Sequence, residues 1–108
     1  MPGGDCEVLM YARVPTFKVS AQGIEASIRL VEDVTMPQLR NVPGFKGLTM
    51  LVNRETGMVR VVVYWDSRET LEASAETGKR LRAEIVEKIQ GAELVSVEEF
   101  EVAVNAMT

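Results

Sequence analysis

The chain has 108 residues, of which 46% are hydrophobic and 26% are charged, the composition of a single globular domain. Its net charge of −4 argues against nucleic-acid binding, because a phosphate backbone attracts a basic surface. No apolar run approaches the ~20 residues that cross a bilayer, and the N-terminus lacks a signal-peptide pattern, so we expect no membrane association.

The histidine and cysteine counts limit the kinds of catalytic and metal sites that the chain can form. The chain has no histidine, which removes the common nucleophile–histidine pairs, the usual zinc sites and histidine-ligated haem. Its one cysteine, Cys6, cannot form a disulfide within the chain, which predicts a reducing, cytoplasmic location. We therefore expect no bound metal. Acid–base chemistry would need another side chain of shifted pKa or a reactive substrate.

A short tail and a strand open the chain. Residues 1–5 contain two glycines and a proline, which predicts a flexible tail. Alternating side chains over 6–17 predict the first strand. Pro15 has no N–H to donate, so we expect regular strand pairing to end there.

A helix is predicted over 21–34, with Ser20 as its N-cap. Apolar residues at helical spacing mark its buried face, namely Ile24, Ile28 and Val31. Thr35 and Pro37 predict a break, because proline is not tolerated inside a helix. A short second helical piece then runs through Arg40.

A β-hairpin is predicted next, with strands over 45–54 and 58–65. The loop between them uses Gly57 for the positive φ that such loops need. Both strands are apolar on both faces. In the second strand, one face carries Leu48, Met50 and Val52, and the other carries Phe45, Thr49 and Leu51.

The C-terminal third is predicted to form a helix and a strand. Residues 66–69 have capping-box spacing, with Glu69 reaching back, and Gly91 ends the helix. A last strand covers 93–104, and 105–108 should fray. Its alternation changes at Glu98. Either a bulge there places the apolar residues on one face, or the strand is apolar on both faces.

The order β-α-β-β-α-β predicts an α+β, ferredoxin-like domain over 6–104: a four-stranded antiparallel sheet with both helices on one face. The other sheet face is too apolar for a typical monomer surface. We therefore expect a homodimer with facing sheets, the alternative being a monomer with an apolar surface.

Two motifs carry a family resemblance: Pro43-Gly44-Phe45 with Gly47, and Trp65-Asp66-Ser67 opening a helix. With the stretches PGFKGLTMLVNRETG and VVVYWDSRETLEAS, the chain resembles the antibiotic biosynthesis monooxygenase-like family of the dimeric α/β-barrel superfamily over roughly 8–104. The resemblance implies a ferredoxin-like fold, a homodimer, and a cavity between the sheet and the helices.

The family includes cofactor-independent oxygenases of polycyclic phenols and quinols, and haem-degrading oxygenases. The resemblance therefore implies a cofactor-independent monooxygenase for a small aromatic or polyketide-like substrate. The alternative is a non-catalytic homodimeric domain that binds a small hydrophobic ligand or a protein partner. Haem degradation is disfavoured: the family's asparagine and helix tryptophan fall at Ala12 and Ser74, and its histidine has no counterpart.

Six residues are candidates for the substrate pocket: Tyr11, Ala12, Arg13, Trp65, Ser74 and Gly78. Trp65 either stacks on an aromatic substrate or packs where strand meets helix, beside Phe45, and packing is the simpler interpretation. Ser74 and Gly78 form a cavity wall, or instead mark close helix–sheet contact or a helix break. Arg13 steadies a phenolate or lies in a solvated or intersubunit ion pair, the simpler of the two.

Overall fold

The computed structural model describes residues 10–106, so the predicted tail, Cys6 and residues 107–108 lie outside the described part. The elements follow the predicted order, and the ferredoxin-like α+β class is confirmed. They are β1 (Tyr11–Lys18), α1 (Ala21–Leu30), a π-helical turn (Val31–Thr35), α2 (Met36–Leu39), β2 (Phe45–Asn53), β3 (Met58–Trp65), α3 (Arg68–Ala73), α4 (Ala75–Lys88) and β4 (Glu93–Glu101).

The four strands form one antiparallel sheet in the order β2-β3-β1-β4. Successive side chains of a strand point to opposite faces, so alternate residues of β1 and β3 meet the helices. These residues and the apolar helix faces make one core, whose most buried large side chains are Trp65, Phe17, Ile24 and Leu71. The core lies on the helix side of the sheet.

Pro15 does not end strand pairing, so that prediction is wrong. It lies inside β1 and pairs with Val97 of β4. Pairing with β3 has a gap between Arg13↔Val63 and Thr16↔Arg60. Backbone groups of successive strand residues alternate sides, so the missing proline N–H disturbs one neighbouring strand and spares the other.

The predicted break at Thr35 and Pro37 is also wrong, because the helical path continues from α1 into α2 through the π-helical turn. Met36 N–H donates to the Val31 carbonyl, five residues back. A proline ring clashes with the carbonyl four residues earlier in an α-helix. The wider π turn precedes Pro37, which then lies in the first turn of α2, where a proline is tolerated.

Side-chain caps start α1 and α3. The predicted Ser20 cap is confirmed, since its Oγ accepts from Gly23 N–H at 3.2 Å. The capping box at 66–69 is present only in part. Ser67 is the cap and accepts from Thr70 N–H at 3.1 Å. The predicted return contact from Glu69 is wrong, because Asp66 N–H donates to the Gly44 carbonyl at 2.9 Å instead.

The helix predicted after the third strand divides at Ser74 into α3 and α4. This is one of the two structural alternatives for the small residues at 74–78. Gly91, with φ +81°, follows α4 in the left-handed region, as expected.

Two local irregularities differ from expectation. The β4 bulge lies at Val95, because Thr16 pairs with Ser96 and Phe17 with Leu94, so a bulge at Glu98 is wrong. A second irregularity separates Phe45 from Gly47 in β2. It turns Phe45 to the helix side, so its predicted placement beside Thr49 and Leu51 is wrong.

The centre of the sheet face away from the helices is apolar, as expected, and the charged residues Arg60 and Glu98 lie on the same face. Half-buried residues occupy its centre, including Val14, Val62 and Tyr64. Leu51 is 51% exposed and Phe100 is 48% exposed. Within residues 10–106, no helix combines the length and the apolar character needed to span a bilayer.

Candidate functional site

A cavity with about 40 Å³ of interior space lies between the sheet and the helices. Apolar side chains make most of its wall: Phe17, Val31, Leu39, Val61, Val63, Leu81 and Ile85. Polar groups reach it from Arg13, Arg82, Thr35 and Trp65. The wall is that of a small-molecule site, apolar with few polar groups.

Arg13 of β1 is 5% exposed, and its guanidinium donates four hydrogen bonds. Its Nη1 donates to Ser74 Oγ at 2.8 Å, and its Nη2 donates to the Leu71 carbonyl at 2.8 Å. Its Nε and Nη2 both donate to Glu99 of β4, at 3.1 and 2.9 Å. The solvated-edge and intersubunit interpretations of Arg13 are wrong, because this ion pair is buried on the arginine side and lies within one chain.

Ser74 owes its position to the break between α3 and α4. Its Oγ donates to the Leu71 carbonyl at 2.7 Å, which satisfies one of the carbonyls left free at the end of α3. The same oxygen accepts from Arg13. The structure therefore brings these two predicted residues together, with Ser74 1% exposed behind the cavity wall.

Gly78 lies where two guanidinium groups converge. A β-carbon at this position would lie 2.9 Å from Arg82 Nη1 and 3.5 Å from Arg13 Nη1. The absent side chain therefore leaves the space that both arginines share. Burial lowers the pKa of Arg82, and the neighbouring Arg13 charge lowers it further, against the opposing effect of Glu99.

Sequence reasoning missed Arg82, which falls in a charged run of α4 that looks like a solvated helix face. Its position four residues after Gly78 could have revealed it, since residues at i and i+4 of a helix are neighbours. The arginine therefore covers the one position in α4 that has no side chain.

Trp65 packs and also lines the cavity. It is 1% exposed and meets Phe45 edge to face, with ring centroids 6.0 Å apart at 72°. Its Nε1 is buried without a hydrogen-bond partner among residues 10–106. A buried N–H without an acceptor is costly, so this donor is available to a ligand.

Tyr11 and Ala12 do not line the cavity. Tyr11 shares the Arg13 face of β1 but lies at its end, 5.2 Å from the Arg68 guanidinium carbon. Ala12 points to the opposite sheet face, where it pairs with Tyr64. Of the six candidates, Arg13, Trp65 and Gly78 line the cavity, and Ser74 supports Arg13.

Comparisons with known proteins were made for sequence and for structure. No family model matches the sequence. The uncharacterized protein Rv2557 of Mycobacterium tuberculosis is 33% identical over 95 residues, which cover 88% of this chain and 42% of that protein. The uncharacterized Rv2558 is 30% identical over the same share of this chain and 39% of its own length. The chain thus spans about two fifths of these relatives.

Solved structures share the whole fold. A monooxygenase from the gene ActVA-Orf6 of Streptomyces coelicolor, in complex with nanaomycin D, has a TM-score of 0.71 at 15% identity and covers 99% of both chains. The heme-degrader MhuD of Mycobacterium tuberculosis, with two hemes bound in its active site, has a TM-score of 0.64 at 26% identity. That match covers 90% of this chain and 99% of MhuD.

Proposed function

We propose that this chain, whose structural neighbours are antibiotic biosynthesis monooxygenase-type proteins, is a cofactor-independent monooxygenase for a small aromatic substrate. One observation carries the proposal: a buried arginine and an unpaired indole N–H border an otherwise apolar cavity. Such a wall suits a flat aromatic ring that carries oxygen substituents.

The proposed reaction requires few groups from the protein. A phenol that reacts with dioxygen can give a quinone and water: one oxygen atom enters the ring, and the other leaves with two hydrogens. The electron-rich phenolate is the reactive form. Arg13 and Arg82 stabilise its negative charge in the apolar cavity, and Trp65 orients an oxygen substituent by donating its N–H.

Substrate size requires the cavity to open. Its interior of about 40 Å³ is far below the ~300 Å³ or more of ordinary ligand pockets. Val31 and Thr35 of the π-helical turn form part of one wall. Turns of this kind often occur at functional sites. Outward movement of this wall would enlarge the cavity.

Haem does not fit the cavity. The residues that line it include no cysteine, methionine or tyrosine, and the whole chain has no histidine, so the wall offers no axial ligand for iron. Among residues 10–106, no group of acidic, cysteine or histidine side chains is arranged to hold a metal ion. In the proposed reaction the substrate itself reduces dioxygen.

The alternative function is non-catalytic binding of a small hydrophobic ligand. It is favoured by the absence of a carboxylate among the residues that line the cavity, since Glu99 reaches the site only through Arg13. Without a base, the cavity would hold an aromatic molecule and leave it unchanged.

The Gly78→Ala variant tests the oxygenase proposal. With 1,8-dihydroxyanthrone as the probe, the native protein should consume one dioxygen per quinone formed, faster than the protein-free solution. The added methyl group meets the flexible end of Arg82, so the variant should fold, gain up to ~1 kcal/mol of helix stability, and lose at least tenfold in turnover. An oxygen electrode and quinone absorbance measure both rates.

The exposed neighbour Lys79→Ala is the control and should keep the native rate. Native turnover no faster than the protein-free reaction would reject the oxygenase. If quenching of Trp65 fluorescence still reported binding of the probe, the non-catalytic alternative would hold, because Trp65 is the only tryptophan and lines the cavity.

The homodimer is part of the same proposal. The apolar sheet face centred on Val62 supports face-to-face packing of two sheets. A cytoplasmic location is also proposed, since Cys6 has no partner cysteine within the chain.

Val62→Lys should convert the dimer into a monomer, because it places a charge at the centre of the proposed interface. Sedimentation equilibrium at micromolar concentration measures the mass. Val86→Lys, on the exposed side of α4, makes the same change away from this face and should stay dimeric. A native mass near 12 kDa, or an unchanged Val62→Lys dimer, would reject this interface.

A further inference from the structure

The charges beside the cavity do not balance. Two guanidinium groups, from Arg13 and Arg82, come within 3.5 Å of one point above Gly78. The carboxylate that accompanies them, Glu99, has a side chain 49% exposed and bonds only Arg13. One positive charge is therefore left over on the cavity side.

The hydrogen-bond donors do not balance either. Arg13 has five N–H groups and makes four hydrogen bonds, which leaves one donor on Nη1, the nitrogen nearest Gly78. Arg82 makes no hydrogen bond or ion pair with another residue of the described 10–106 range. Burial and the Arg13 charge lower its pKa more than the charge of Glu99 raises it, so Glu99 only partly compensates this cation.

A planar carboxylate matches these free donors. One oxygen can accept from the remaining Nη1–H of Arg13, and the other can accept from the guanidinium of Arg82. A single surplus positive charge suits a monoanion. The apolar wall disfavours a strongly hydrated phosphate and suits an aromatic or aliphatic body attached to the anion.

We infer that the ligand of this cavity is an aromatic carboxylic acid, with its carboxylate between Arg13 and Arg82 and its ring against the apolar wall. The inference rests on the proposed function of the cavity and narrows its substrate class to hydroxylated aromatic acids. A phenol without a carboxylate is neutral near pH 7 in solution and would pair with the surplus charge only after losing its proton, whereas a carboxylate brings the negative charge with it.

The experiment compares 2-naphthoate with 2-naphthamide, which have the same ring and differ in charge. Isothermal titration calorimetry on the full chain should show naphthoate binding at least tenfold more tightly. Arg82→Met should lower naphthoate affinity about tenfold and leave naphthamide within twofold, because only the anion uses the guanidinium. Arg82 is only partly buried, so the variant should fold, which circular dichroism verifies.

Two further variants sharpen the test. Lys79→Met removes the same charge from an exposed position of α4 and should change neither affinity. Glu99→Gln removes the anion that competes for Arg13 and should tighten naphthoate binding severalfold. A merely structural arginine would not produce this opposite response.

The outcomes separate the two proposals. If both probes bind equally and Arg82→Met alters neither, the anion site is rejected, while the aromatic cavity stands. If neither probe binds at millimolar concentration, the proposed function of the cavity fails, and the anion site fails with it.

Discussion

Arg13→Met should lower the free energy of unfolding by about 3 kcal/mol, because it removes the hydrogen bonds of a buried guanidinium and leaves a buried carbonyl without its charged partner. The guanidinium joins three elements, since it bonds Glu99 of β4, the Leu71 carbonyl at the end of α3, and Ser74 at the α3–α4 break. Methionine fills similar space but donates nothing, so the carbonyl loses its charged partner in a dry environment.

Urea unfolding followed by circular dichroism measures the effect. Arg54→Met is the matched control, because Arg54 pairs with Glu25 at the surface, where both side chains are more than half exposed. Its loss should cost no more than ~1 kcal/mol. Equal losses in the two variants would mean that Arg13 is not the link between sheet and helices described above.

Gly57→Ala should destabilise the protein by about 3 kcal/mol or more. Gly57 has φ +78°, where an L side chain is strained, and a β-carbon there would lie 2.3 Å from the Val19 carbonyl oxygen. The two segments cannot move apart to relieve this clash without losing a hydrogen bond, because Val19 N–H donates to the Gly57 carbonyl at 2.9 Å. The two backbone segments are held at the separation that a methyl group violates.

Gly91→Ala measures the cost of backbone strain without a steric clash. Gly91 has a similar φ of +81°, but its nearest neighbour to an added β-carbon, on Ser20, is 3.8 Å away. Only conformational strain remains, so the loss should be about 1 kcal/mol. Thermal unfolding of both variants gives the comparison. A loss for Gly57→Ala no larger than that for Gly91→Ala would show that the hairpin loop can move away from Val19.

Much of the fold could be predicted because local signals agree with each other. The third strand, 58–65, has its predicted bounds, since a segment rich in valine and aromatic residues stands between a glycine turn and a helix cap. Ser20, Gly57 and Gly91 have their predicted local roles. Each signal lies within a few residues of the structure it specifies.

The errors arise where distant contacts decide the local structure. Pro15 stays within β1 because β4 pairs with it from the far end of the chain. Phe45 turns toward the helices through an irregularity in β2, which places it against Trp65. Single-sequence alternation contains neither the partner strand nor the register shift.

The site was predictable only in part. Strand alternation correctly placed Tyr11 and Arg13 on one face, yet arginine is mostly exposed in proteins, which favoured a surface interpretation. Arg82 was hidden among exposed charges of α4 for the same reason. Their role becomes recognisable only in the structure, where both guanidinium groups lie beside Gly78, which has no side chain.

The π-helical turn also determines which residues of 31–39 face the cavity. Val31, Thr35 and Leu39 are all buried, and each is four residues after the last. In an α-helix, four residues overshoot one full turn by about 40°, so such a row would wind gradually away from the cavity. A π turn holds more residues and offsets that drift. All three side chains line the cavity, and deleting one residue of 31–35 would rotate Leu39 away from it.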